Sequence, residues 1–162
     1  MVASPEARRS DVTTPRGLYR LAALAETITW SLLIVGLALK YGAGLDLAVT
    51  VSGGIHGFVF LAYAAIALLV GLNQRWRLWL IALAVASAVV PYATIPFERW
   101  LERSNHLSGG WRTEATADER DSGWLDRAVR WMLRHPALLL AVAVLAVVAV
   151  FAALLLAGPP GG

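Results

Sequence analysis

LAVTVSGGIHGFVFLAYAAIALLVGL, residues 47–72, carries a single ionisable side chain, His56, in a run long enough to cross a bilayer. A helix needs about 20 apolar residues to span ~30 Å of hydrocarbon. Upstream, residues 21–39 contain one ionisable group, Glu26. Downstream, residues 78–97 and 137–157 contain none. A soluble chain of 162 residues has no core large enough to hide four such stretches. The composition agrees: 15% of residues are charged, where about a quarter is usual in soluble domains. The sequence therefore predicts an all-α membrane protein, with a three-helix transmembrane core plus a C-terminal transmembrane helix.

Four regions follow. Residues 1–17 form a flexible basic N-terminal arm with Arg8, Arg9 and Arg16. The first apolar run is too long for a signal peptide and no small-residue cleavage pattern follows it, so the arm is expected in the mature protein. Residues 18–101 are the membrane core. Residues 102–136 are a polar connector, and residues 137–162 are the last span and its tail. Tyr19 and Tyr41 stand at the ends of the first span like interfacial anchors. Pro91 and Pro96 fall late in the third run and predict a kink or early unwinding.

Within the connector, Thr116-Ala-Asp-Glu119 has capping-box spacing, so a helix is expected to begin there. From Trp124 to Arg134 the pattern is amphipathic. Asp126, Arg130 and Arg134 share one face; Trp124, Ala128 and Met132 share another. Such a helix suits the headgroup layer, or simply leads into the next span.

Thirteen arginines and one lysine oppose eleven acids. In a membrane protein this bias marks topology and anionic lipid. Nucleic acid is excluded as a partner, because the arginines alternate with acids. The chain lacks cysteine, so neither a disulfide nor a cysteine zinc site is available. No catalytic constellation and no metal motif appears, which predicts a non-enzyme without cofactors. Arginine- and alanine-rich usage fits a GC-rich bacterium, and hence the bacterial plasma membrane.

The arginines of the arm place the N-terminus in the cytoplasm. Four full spans, the count adopted from hydropathy, also put the Arg75/Arg77 turn inside but leave the arginine-rich connector outside. A third segment that dips in and returns would put both on one side.

Glu26 and His56 are the informative polar residues. An acid at helix centre costs roughly 2.5–3.5 kcal/mol on insertion scales. Counting ~1.5 Å per residue along two antiparallel helices, the pair sits at nearly one depth, so the two side chains are expected to meet. They are either a proton-carrying or ligand-binding pair, or a buried lock between helices. The absence of a repeated carboxylate relay favours the lock. Beside them, Gly53 and Gly57 have the spacing that lets helices approach closely, and Ser52 shares a face with His56. Thr27, Thr29 and Ser31 are expected to bond their own helix carbonyls. Thr94, between two prolines, is the weakest site candidate. His106 and His135, lacking partner ligands, are expected in solvent or at the interface.

Tyr19-Arg-Leu followed by Glu26, then Leu39-Lys40-Tyr41, Ile55-His56-Gly57 and Ile95-Pro96-Phe97 are similar in order and spacing to domain-of-unknown-function family 3817, small integral membrane proteins common in actinobacteria. The resemblance covers about residues 18–101. It implies a three-helix membrane core with Glu26, Lys40, His56, Gly57 and Pro96 at characteristic positions. Ala38 stands where the family tends to have proline, and Glu98 where glycine is usual. The family implies no activity. The function expected is a non-catalytic accessory or helix-packing component of a membrane assembly, joined to a membrane-protein partner. The rival is a small homo-oligomeric proton-linked transporter or channel using Glu26 and His56, with Lys40 on the same path.

Overall fold

In the computed structural model, which describes residues 13–158, the first helix is set by its caps. The Thr14 hydroxyl accepts the Gly17 amide at 3.0 Å, and Pro15 opens α1, Pro15–Ala43. Proline is tolerated there because a first-turn amide has no helical partner in any case. Gly44, in the left-handed region at φ 69°, closes the helix by donating to the Lys40 carbonyl. α2, Asp46–Asn73, then returns antiparallel to α1. At ~1.5 Å per residue both helices exceed ~40 Å and are longer than the hydrocarbon slab. The expected arm over residues 1–17 lies outside the described residues as far as residue 12.

The third apolar run is divided. α3, Leu78–Ser87, is ten residues long; an irregular turn follows; α4, Thr94–Arg103, is again ten. Ten residues rise only ~15 Å, half a bilayer. Tyr63 of α2 donates its hydroxyl to the Ala84 carbonyl, so α3 climbs alongside α2. The Trp30 indole donates to the Ala88 carbonyl and Ser31 meets Tyr92, which puts the turn beside the middle of α1. Thr94 then donates to the Ala23 carbonyl, and Glu102 pairs with Arg16 at the start of α1. α4 therefore descends antiparallel to α1, and the hairpin leaves by the face it entered. The predicted break at the prolines is present, and neither ten-residue half is long enough to cross by itself. Three helices among the described residues, α1, α2 and the last, are long and apolar enough to span a membrane. Pro91 sits in the turn, Tyr92 takes a left-handed φ of 64°, and Pro96 lies in the first turn of α4.

The connector caps α2. Arg112 donates from its guanidinium to the Leu72 and Asn73 carbonyls, and its amide is accepted by the Asn73 side chain. Those carbonyls have no helical donor of their own. Thr116 does not start a helix as the capping-box spacing predicts. Its hydroxyl goes instead to the Asp121 carboxylate, and Asp118 caps a short 3-10 turn, Glu119–Ser122. The Asp121 carboxylate also accepts from Arg130 at 2.9 Å.

The amphipathic helix is present as α5, Trp124–Arg134. Its polar side faces the connector, where Asp126 meets Arg112 at 2.6 Å and Arg130 meets Asp121 at 2.9 Å. Trp124, Leu125 and Trp131 are exposed on the other side. α6, Pro136–Ala157, follows directly and packs on α2 through Phe151, which stands edge-on to Phe58. Its starting end adjoins the connector, so it crosses away from it.

One face of the molecule thus gathers the start of α1, the end of α2, both ends of the hairpin and the connector. The other holds the α1–α2 turn and the end of α6. Every described arginine belongs to the first face, and Lys40 to the second.

Candidate functional site

Glu26 points from α1 into the helix bundle and is fully buried. Neither of its carboxylate oxygens has a hydrogen-bond partner among the described residues. His56 of α2 approaches with Nδ1 3.9 Å from Oε1, within ion-pair reach but beyond hydrogen bonding. What His56 does bond is Thr29, 3.2 Å from Nδ1. The Thr29 hydroxyl gives its one hydrogen to the Glu26 backbone carbonyl at 3.0 Å. It is then left to accept at its oxygen, which requires Nδ1 of His56 to carry the proton. The Trp30 ring packs 4.5 Å from the imidazole. The predicted depth match is therefore present, with Thr29 interposed as the hydrogen-bonding partner.

Toward the arginine-rich face the polar residues continue. Tyr19 and Tyr63 are buried, with their hydroxyl oxygens 2.6 Å apart. Tyr63 also reaches the Ala84 carbonyl at 3.1 Å and Ser87 at 3.3 Å. Tyr19 is thus a core residue and not the interfacial anchor its place in the sequence suggests, because the returning hairpin and Trp76 cover it. Tyr41 is exposed, as expected of an anchor. Glu98 of α4 is 4% exposed, with Oε1 unpartnered. Tyr19 with Tyr63, and Glu26 with His56, form a polar seam between α1 and α2.

The seam stops before the opposite face. A β-carbon on Gly36 would collide with the Ser52 hydroxyl oxygen and fall 2.9 Å from the Ala48 carbonyl oxygen. α1 and α2 touch there with no room between them. Gly53 faces Leu33 and Gly57 faces Phe151, both at ordinary contact distance. All three predicted packing residues lie at helix contacts, but the tight one is made by Ser52 with Gly36.

Lys40 pairs with Asp46 at 3.4 Å beside the α1–α2 turn. It is ~21 Å along α1 from Glu26, so the structure does not bring it to the seam. Pro96 helps shape the hairpin without touching the pair. Thr94 is buried between Thr27 and the Ala23 carbonyl, where it fastens α4 to α1. His106, expected in solvent or at the interface, is partly exposed and stacks on Trp100 with its Nδ1 buried. His135 is exposed and bonds the Trp131 carbonyl. Among the described residues no three His, Asp or Glu side chains gather to hold a metal ion.

Outside the spans, Asp118 is held well below the usual carboxylate range by hydrogen bonds from Arg120, with Arg75 adding. Asp121 is lowered chiefly by its bonds from Thr116, and by the charges of Arg75 and Arg130.

Sequence reasoning passed over Tyr63, Glu98 and Gly36. A tyrosine or glycine inside an apolar run carries no signal of its own. Glu98 sits next to Arg99 and reads as part of the polar end of the core.

Residues 16–103 match the family described as domain of unknown function DUF3817. A Streptomyces coelicolor protein described as a membrane protein is 35% identical over 108 residues, which is 64% of this chain and 13% of that protein. The uncharacterized membrane protein YdzA of Bacillus subtilis is 33% identical over 89 residues, 54% of this chain and 93% of YdzA. The chain thus spans a small part of the first relative and nearly all of the second. No solved structure matches.

Proposed function

The chain belongs to the DUF3817 family, and from that premise we propose that it is a non-catalytic component of a membrane assembly, an accessory subunit that packs against another membrane protein. The observation that supports this most is the outer surface, which is broad and apolar. α6 carries no polar side chain and packs on the rest along one edge only. A helix of that kind has most of its circumference available to lipid or to another span.

The arginine-rich face is the cytoplasmic one in a bacterial plasma membrane. That orientation rests on the positive-inside bias, because every described arginine lies on that face and the opposite one has Lys40 alone.

A second reading keeps the transporter alternative. Glu26, a buried acid without a hydrogen-bond partner, is of the kind that marks ion pathways in membranes. Further copies would then have to complete the route.

Purification of the tagged protein from its native membrane in mild detergent, with the mass and composition of the particle determined, tests both. A stoichiometric foreign membrane protein is expected. A homo-oligomer would favour the transporter, and a bare monomer would remove the accessory reading.

A further inference from the structure

We propose that the cavity between the α2–α3 turn and the end of α4 binds the phosphate headgroup of an anionic lipid, with Arg77 as its charged contact.

The inference goes beyond the accessory reading and needs no partner protein. It starts from a space of about 500 Å³ at the arginine-rich face. Two turns wall it. Arg75, Trp76 and Arg77 belong to the turn that opens α3; Ser104, Asn105 and His106 follow the end of α4. The turns are fastened to each other within the chain. The Trp76 indole donates to the His106 carbonyl at 2.9 Å, and the His106 ring stacks on Trp100. A pocket held this way takes a ligand without the cost of ordering its loops.

The lining changes character along the cavity. The two turns give it amide, hydroxyl and imidazole groups at the face. α3 leaves that face for the apolar layer, so Trp79 and Leu80 carry the wall on as hydrocarbon and indole. A ligand that satisfies both parts is polar at one end and apolar at the other. That is the character of a lipid at the headgroup boundary, where tryptophan is also at home.

Charge decides which headgroup. No aspartate or glutamate lines the cavity. Arg75 is already engaged by Asp118, Asp121 and Asp126. Arg77 is exposed, and its guanidinium has no ion pair or hydrogen bond among the described residues. A free guanidinium offers parallel N–H donors that match phosphate oxygens. His106 has its Nδ1 buried and unpartnered, so Nε2 is the ring atom left for a ligand. The Ser104 hydroxyl and the Asn105 amide are likewise without a side-chain bond among the described residues. One cation beside three neutral polar groups suits a phosphate. Free phosphate shares that chemistry, and the apolar wall favours the lipid.

The test uses the full chain, purified in detergent and stripped of lipid, with phosphatidylglycerol and phosphatidylcholine as probes and native mass spectrometry as the readout. Phosphatidylglycerol is expected to be retained in preference. Arg77→Ala is expected to lower that retention about fivefold, the effect of one basic residue near an anionic lipid surface. Arg127→Ala removes another exposed cation of the same face, outside the cavity, and is expected to change nothing. A second measurement needs no variant. Moving the unmodified chain from phosphatidylcholine to phosphatidylglycerol nanodiscs is expected to add hydrogen-exchange protection over residues 74–79 and 104–106, and none at the α1–α2 turn. Equal retention of the two lipids, equal losses in the two variants, or unchanged protection at both turns overturns the site. Displacement of phosphatidylglycerol by millimolar inorganic phosphate would make it a site for a soluble anion and overturn the lipid assignment.

Discussion

Gly36 lies against Ser52 so closely that α1 and α2 meet through backbone there, with the Ala48 carbonyl oxygen 2.9 Å from where a side chain would begin. The Ser52 hydroxyl can rotate aside, but a helix carbonyl cannot. Gly36→Ala should therefore push the helices apart and cost about 1–3 kcal/mol, the usual range for overpacking. Ser52→Ala should cost little by itself and should rescue Gly36→Ala only in part. Thermal unfolding of the three variants in nanodiscs checks this, and full rescue would show that the carbonyl contact is not limiting.

Tyr63 ties three elements with one hydroxyl: Tyr19 of α1, and the Ala84 carbonyl and Ser87 of α3. Tyr63→Phe removes that hydroxyl and leaves the buried Tyr19 hydroxyl without this partner. A loss of about 1–3 kcal/mol is expected, the range for stranding a buried polar group. The double variant Tyr19→Phe/Tyr63→Phe should be less destabilised than the sum of the singles, because no hydroxyl is then stranded. Additive losses in a double-mutant cycle would deny the coupling.

Acid should open the connector late. Asp118 is held below the ordinary carboxylate range by Arg120, and Asp121 by Thr116, with Arg75 and Arg130 adding. The unfolded connector takes up protons first, as pH falls through roughly 4. The stabilisation is thus complete above that value and is lost as pH falls further toward the depressed folded values. Hydrogen-exchange protection over residues 112–134 should be flat from neutral pH to about 5 and collapse below about 4. Loss of protection between neutrality and pH 5 would contradict the arrangement.

The cysteine-free chain makes the placement of the two faces easy to check. Gly42→Cys lies at the end of α1, and Ser108→Cys in the connector. An impermeant thiol reagent on intact cells is expected to label the first and not the second. Labelling of both would put the connector back outside and remove the returning hairpin, and labelling of Ser108→Cys alone would invert the orientation.

Hydropathy made α1, α2 and α6 legible, because a long apolar run has few other places to go than across a bilayer. It could not tell a span from a hairpin over residues 78–97, since both are equally apolar. The difference lies in Tyr92 adopting a left-handed φ beside Pro91, a local choice favoured only once Trp30 and Ser31 hold the turn. Glu26 and His56 were readable as a pair, because polar groups in apolar runs stand out and depth can be counted. Tyr19 was not readable as core: its proximity to a helix end mimics an anchor, and only the returning α4 covers it. The Tyr19–Tyr63 end of the seam was hidden for the same reason.

The returning hairpin also bears on how the chain is made. Because α3 and α4 enter and leave by one face, the cytoplasmic placement proposed for that face spares the hairpin bases, the charged connector and α5 any passage through the membrane. On the far side there is only the short α1–α2 turn, with Lys40 and Asp46 already neutralising each other, and the end of α6. α1 and α2 can be delivered as one pair. The hairpin, whose halves are each too short to be accepted as spans, can then settle sideways against the finished pair, guided by the Trp30 indole and the Ala23 carbonyl that await it. Assembly then comprises delivery of the α1–α2 pair and of α6 and docking of the hairpin, and a lesion at Trp30 or Thr94 is expected to leave the hairpin undocked while the long helices are in place.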